Sequence, residues 1–262
     1  MQKFISYSVV LFNQSPDDIE KLVNNILDTV PETISGFQLF LVNNSVTNDR
    51  VTDVIRELDR KNSNIISIVP SENKGFGAGH NYAINQAKSD YHFIVNPDVV
   101  IPDADQIDKL IECAELRNAV LVAPKVLYPN GDLQPLVKRT PTVFDMMIRF
   151  LGKSFLLTRQ RHFAYLDTGY DQEILSNNLP GSFLMANTDI LQQIGGFDER
   201  YFLYMEDSDL SRAMSEKGMT LYTPSAYIEH ELQRNNRKKL SGQMEMIKSM
   251  IKYFNKWGWR LW

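Results

Sequence analysis

Residues 201–210 read YFLYMEDSDL, an aromatic and apolar run that ends in three acids within four positions, Glu206, Asp207 and Asp209. Carboxylates at the end of a greasy segment are costly to desolvate unless a partner or a reaction uses them. One reading is the first turn of a helix, with Asp207 or Ser208 as N-cap and Gly218 as its stop. The other is a partly buried cleft in which a carboxylate takes a proton from a reacting hydroxyl. A helix start accounts for the acids but not for the aromatic residues before them.

Another acid, Asp98, follows Asn96 and Pro97 at the end of the apolar run YHFIVN, residues 91–96. A carboxylate there is placed to hold a hard cation, Mg²⁺ or Mn²⁺, that would bridge and neutralise a diphosphate. Read alone, Asn-Pro-Asp is more often a turn. His230, flanked by Glu229 and Glu231, becomes a candidate second ligand once a cation is placed at Asp98. His80, His92 and His162 have no such company and read as structural. The Gly-rich segment ENKGFGAGHN, residues 72–81, is spaced G-x-G-x-G and follows a third strand, not a first. That argues against the dinucleotide fingerprint and an NAD enzyme. Its glycines would either admit backbone N–H groups to a ligand at a helix N-terminus or form a tight turn.

The elements that must position these residues alternate. Strand-like runs at residues 4–12, 37–44, 64–69, 91–96 and 119–124 are separated by helical patterns, the first opening with Ser15 as N-cap and Pro16 at the first helical position. Such alternation predicts a mostly parallel sheet with helices on both faces. Ligands of such sheets sit beyond the carboxyl ends of the strands, which selects residues 13–15, 43–48 and 96–98. After Pro124 the pattern turns irregular, with an apolar stretch at 142–157 carrying Arg149 and Lys153. It recovers at LPGSFLMAN, residues 179–187, and closes on a short strand, TLYTPSAYIEH.

The chain of 262 residues suits one large α/β domain. No run approaches the ~18 consecutive apolar residues of a membrane span. The start of the chain reads as a first strand, not a secretory signal, and one cysteine, Cys113, excludes an intrachain disulfide; both fit a cytoplasmic protein. Charge is uneven: residues 232–262 carry eight Lys/Arg against one acid, on an otherwise acidic chain. That points to phosphate groups or a membrane surface, and not to nucleic acid, since no recognition motif accompanies it. Within this tail Met246, Ile247, Met250, Ile251 and Phe254 fall at helical spacing, with Lys248, Lys252 and Lys256 on another face and Trp257, Trp259 and Trp262 following. The pattern fits an amphipathic segment in a membrane interface, or a helix packed on the domain with a solvated basic face.

Taken in order, VVLFN, VNNS, N-x-GFGAGHN, NPDV, PGSFLM, GGFDERYFLYMEDSDLS and a later histidine resemble the family 2 glycosyltransferases, over residues 7–237. Within them the chain is similar to the rhamnosyltransferase-type enzymes of bacterial O-antigen and capsule assembly. The resemblance implies an α/β GT-A fold: a single Rossmann-like domain over residues 1–231, with a nucleotide-sugar-binding half (1–125) and an acceptor half (126–231), then a helical tail (232–262). It implies a nucleotide-sugar donor, dTDP-rhamnose or a UDP-hexose, a divalent cation, and inversion at the anomeric carbon. The acceptor would be a glycan or a lipid-diphosphate-linked sugar, met by a peripheral protein at the inner membrane leaflet. On this resemblance Asp207 is the base, with Glu206 beside it, and Asp98 and His230 are the cation ligands. Phe12, Asn43, Asn73, Gly75, Asn96 and Asp98 would line the donor site. Where the family's second strand usually ends in Asp-Asn, this chain has Asn43-Asn44, which leaves the nucleobase open. A sugar nucleotidyltransferase would need a Gly-rich basic loop after its first strand, and FNQSPDD is not one. A non-catalytic glycan binder would not need Asp98, Asp207 and His230 together.

Overall fold

The computed structural model describes residues 2–148, 155–231 and 240–262. Arg149, Lys153 and the basic residues Arg234, Arg237, Lys238 and Lys239 lie outside the described residues.

The alternating half folds as its pattern predicts. Strand β1 (Phe4–Leu11) leads to helix α1 (Pro16–Asp28), whose Ser15 cap accepts from the Asp18 N–H at 3.2 Å. Then come β2 (Gly36–Asn43), α2 (Asp49–Lys61), β3 (Ile65–Ile68), α3 (Phe76–Ile84), β4 (Tyr91–Val95), the short β5 (Val99–Val100), α4 (Asp105–Arg117) and β6 (Ala119–Leu127). The second half adds α5 (Val143–Ile148), α6 (Leu157–Phe163), β7 (Ile174–Leu175), β8 (Phe183–Asn187), α7 (Thr188–Gln193), α8 (Glu206–Ser215), β9 (Met219–His230) and α9 (Leu240–Trp257).

One sheet runs β3-β2-β1-β4-β8-β6-β9-β5, with β7 against β9. Its β3-β2-β1-β4 portion is parallel, as is β6-β9, so most paired positions are parallel. Strand β8 enters antiparallel between β4 and β6. The chain winds outward from β1 to β2 and β3, then returns to place β4 on the other side of β1. That reversal opens a crevice beyond the ends of β1 and β4. β9 is a long strand of twelve residues, not the short one the sequence predicts. Its last residue, His230, pairs with Val99 of β5.

Both sheet faces are covered. Ile5, Tyr7, Val9 and Leu11 pack with Ile19, Val23 and Leu110 on one side, and Ile94, Leu184 and Ala186 with Phe197, Leu210 and Met214 on the other. Ser6 and Ser8 of β1 instead carry a buried polar chain. His92 bonds Ser6 Oγ and Ser8 Oγ at 2.7 and 2.8 Å, and His80 bonds Ser8 Oγ at 2.7 Å. Burial drives both imidazoles below their ordinary value, His92 to about 3, which keeps them neutral core residues. His162 sits in the last turn of α6, bonded to Asp167.

The Gly-rich segment has a packing role that neither sequence reading named. Gly75 has φ +106°, and a Cβ there would lie 2.2 Å from the Phe202 carbonyl oxygen, which accepts the Phe76 N–H at 3.1 Å. Replacing Gly75 by Ala therefore combines left-handed strain with a backbone clash, and destabilisation of about 2 kcal/mol or more is expected. Urea denaturation measures it; an unchanged midpoint would contradict this packing.

Candidate active site

A cavity of about 730 Å³ opens beyond the ends of β1, β2 and β4. Phe12, Asn44, Asn73, Gly75, Asn96 and Asp98 line it. A second cavity of about 380 Å³ is lined by Gly181, Ser182, Glu206 and Asp207, with Met146 and Met246 at its apolar side. The two share Phe76, Asn96, Leu203 and His230 as a common wall. These volumes suit a nucleotide-sized ligand and a smaller neighbour.

Asp98 and His230 meet in the first cavity, with Asp98 Oδ1 3.1 Å from His230 Nε2. The β5–β9 pairing puts them there, helped by the Glu231 N–H bonded to the Asp98 carbonyl at 3.0 Å. The imidazole is 4% exposed and is oriented by Gln134, which no sequence pattern singles out. Gln134 Nε2 donates to the carbonyls of His230 and Leu127 at 2.6 and 3.2 Å, so its Oε1 faces His230 Nδ1 at 3.3 Å. That arrangement fixes a ring proton on Nδ1. Nε2 then either brings a second proton to Asp98 or turns a lone pair, with the carboxylate, toward a cation.

The donor set fits a hard divalent ion. Adjacent ligands on an octahedral ion with bonds of about 2.1 Å stand about 3 Å apart, which matches the Asp98–His230 separation. Among the described residues no group of three or more His, Cys, Asp or Glu could hold a metal. Were this pair to hold a cation, its remaining positions would fall to phosphate oxygens and water.

Asp207 stands at the second cavity, half-buried. Its Oδ2 accepts the Gly181 N–H at 3.2 Å and its Oδ1 the Ser208 N–H at 2.8 Å, which leaves Oδ2 a lone pair to receive a proton. Gly181 permits the approach, because a Cβ there would sit 2.9 Å from Asp207 Cβ. Glu206 is buried in the same wall. The helix begins differently from the capping that the sequence suggests. Met205 is the N-cap residue, without a side-chain cap bond, so Asp207 and Ser208 lie inside α8. Tyr204 and Met205 have φ +70° and +67°, a left-handed pair that turns the chain sharply before Glu206.

Asn43 is not brought into the cavity. Its Oδ1 accepts the Ser45 N–H at 2.8 Å and its Nδ2 donates to Thr52 at 2.9 Å, while the adjacent Asn44 lines the cavity. Phe12 is 55% exposed over the opening, and Asn73 caps the Gly75 N–H at 2.9 Å. Asn96 Oδ1 and Ser182 Oγ are buried without a hydrogen-bond partner among the described residues, and both residues line the second cavity. Lys21 of α1 also lines the first cavity, a cation that the sequence analysis did not single out.

A switch-point crevice with a carboxylate–imidazole pair, beside a second cavity with its own carboxylate, is built on the GT-A glycosyltransferase fold. The chain belongs to glycosyl transferase family 2, whose family model matches residues 6–179. It is 29% identical over 187 residues to an N-acetylglucosaminyl-diphospho-decaprenol L-rhamnosyltransferase of Mycobacterium tuberculosis, covering 64% of this chain and 59% of that protein. It is 26% identical over 194 residues to rhamnosyltransferase WbbL of Escherichia coli, covering 68% and 69%. The matched part thus spans about three-fifths of the mycobacterial relative's length. Among solved structures it is similar to the mannosyltransferase PcManGT of Pyrobaculum calidifontis in complex with GDP-Man and Mn²⁺, with TM-score 0.66, 13% identity, and coverage of 97% of this chain and 65% of that one.

If Gln134 orients His230 for a cation, Gln134→Leu should weaken Mn²⁺ binding in the presence of dTDP by roughly 10–100-fold. Electron paramagnetic resonance of free Mn²⁺ reads this directly. Equal affinity in the variant would remove the orienting role.

Proposed function

We propose that the protein is an inverting glycosyltransferase that moves a sugar from a nucleotide donor to a hydroxyl of a lipid-diphosphate-linked glycan, with dTDP-rhamnose as the first choice of donor. The observation that carries this reading is the shared wall: Asp98 and His230 face one cavity, Asp207 faces the other, and Asn96 and His230 belong to both. In this reading the nucleoside diphosphate occupies the first cavity and the acceptor the second, with the anomeric carbon at the junction. The names of the two rhamnosyltransferase relatives support rhamnose, and the mycobacterial one supports a diphosphate-linked acceptor.

The residues then divide the work. Phe12 offers an aromatic face at the cavity opening for a base to stack on. Asp98 and His230 would hold a divalent cation, which when bound offsets the charge gathering on the departing diphosphate. Asp207 takes the proton of the attacking hydroxyl through Oδ2. Because bond breaking to an oxocarbenium-like centre runs ahead of attack, the proton leaves late and a carboxylate is basic enough. Attack from the Asp207 side and departure on the other side give inversion. Asn96 Oδ1 and Ser182 Oγ are available to sugar hydroxyls.

The acceptor's lipid would bring the protein to the cytoplasmic face of a membrane, as a peripheral contact. Among the described residues no helix is long and apolar enough to cross a membrane. Trp259, Leu261 and Trp262 are 52%, 61% and 74% exposed, beside the exposed Met147 of α5. The end of the chain is tied to α5 by the Val143 N–H on the Arg260 carbonyl at 2.8 Å and by Phe144 against Trp262 at 4.4 Å. Exposed tryptophans with nearby basic residues suit a lipid headgroup layer.

Asp207→Asn should lower transfer by about 10²–10⁴-fold with donor binding intact. Retention of more than about a tenth of wild-type turnover would sink the assignment. Replacing Trp259 and Trp262 together by Ser should reduce sedimentation with anionic phospholipid vesicles roughly tenfold. Undiminished sedimentation would refute their part.

A further inference from the structure

Helix α9 and the segment that presents Glu206 and Asp207 both lie beyond residues 6–179 that the family model matches, and the two are bonded to each other. We infer that α9 is a clamp that positions this segment, with Asp209 as the anchoring residue. The inference rests on Asp207 as the base, and it extends that reading to residues that do not touch substrate.

Asp209 follows Asp207 by two residues, about 200° around the helix, so it faces away from the second cavity. Its carboxylate is 2% exposed and fully engaged. Trp257 Nε1 donates to Oδ1 at 2.7 Å, Lys256 Nζ to Oδ2 at 2.8 Å, and the Tyr201 hydroxyl to Oδ1 at 3.3 Å. A buried carboxylate with a cation and two further donors is held in place by charge-assisted bonds. The same helix reaches the loop before α8. Ser249 Oγ donates to the Leu203 carbonyl at 2.9 Å, Lys252 Nζ to the Arg200 carbonyl, and Lys256 Nζ to Asp198 at 3.0 Å. Between these ties stand Tyr204 and Met205, the left-handed pair. At the far end of α8, Arg212 lies over the Trp257 ring at 4.6 Å and donates to the Tyr253 hydroxyl at 3.3 Å.

The clamp is local. Met146, Tyr201, Met205, Tyr253 and Phe254 form a hydrophobic cluster separate from the main core around the sheet. Loosening it therefore moves the loop and the start of α8 and leaves the strand ends of the first cavity where they are. It also explains why α9 carries lysines on the side that meets the domain: Lys256 and Lys252 are used against Asp209, Asp198 and a carbonyl.

Asp209→Asn weakens the anchor, and Trp257→Phe removes one N–H donor while keeping a ring for Arg212. In both, hydrogen exchange across residues 200–208 should accelerate at least roughly tenfold, with β1, β2 and β4 unchanged. The thermal shift given by dTDP with Mn²⁺ should persist. Turnover of dTDP-rhamnose with an N-acetylglucosaminyl-diphospho-polyprenol should fall roughly 10–100-fold, with donor KM within about threefold, as expected for a misplaced base. Unchanged exchange across 200–208 in both variants would overturn the clamp. Exchange that accelerates equally through the sheet would also overturn it, leaving plain destabilisation. Should Asp207→Asn keep its turnover, the base assignment fails by itself, and the exchange result still decides the clamp.

Discussion

One short antiparallel pairing, Val99 against His230, fixes the chemistry of the first cavity. It sets Asp98, one residue before the pair, within 3.1 Å of the imidazole, although the two are far apart in the chain. Two ladder positions are few, so the pairing depends on its surroundings. β9 is held along its length by β6, and the Gln134 amide locks both the His230 carbonyl and its ring. On the proposed function, a carboxylate and an imidazole arranged before a ligand arrives would need little reorganisation when charge develops on a diphosphate.

The antiparallel β8 supplies the other half. Because Phe183 sits opposite Val95, the turn before β8 lies beside the end of β4, and the Asn96 N–H bonds the Ser182 carbonyl at 2.9 Å. Gly181 can then reach Asp207. The left-handed Tyr204 and Met205 cost about 1–3 kcal/mol each, and this strain is offset by α9 on one side and by the Phe202–Phe76 backbone bond on the other. The start of a central antiparallel strand, a strained turn and an outer helix thus converge on one carboxylate.

Much of this was legible in the sequence. The alternation of strands and helices, the Ser15 cap and the strand-end loops follow from hydrophobic period and turn chemistry. Asp98 and His230 could be singled out only together, since alone the acid reads as a turn residue and the histidine as structural; the structure brings the two within 3.1 Å. The direction of β8 was not legible, since a buried strand reads the same either way round. Asn43 illustrates a finer limit. Successive strand residues point to opposite faces, and at the end of β2 it is Asn44 that meets the cavity while Asn43 is consumed by Ser45 and Thr52. Asp209 looked like one more acid in a helix start. Its partners Lys256 and Trp257 lie in the tail, where the spacing of apolar and basic residues suggested a face for lipid or solvent; only tertiary packing reveals which lysines turn inward.

The two-cavity arrangement is tested most directly by the stereochemistry of transfer. The proposed function puts Asp207 on one side of the anomeric carbon and the Asp98–His230 pair on the other, so a single displacement is expected. The one-bond carbon–hydrogen NMR coupling at the anomeric carbon of the new linkage should report the configuration opposite to that of the donor. A product that retains the donor's configuration would contradict it.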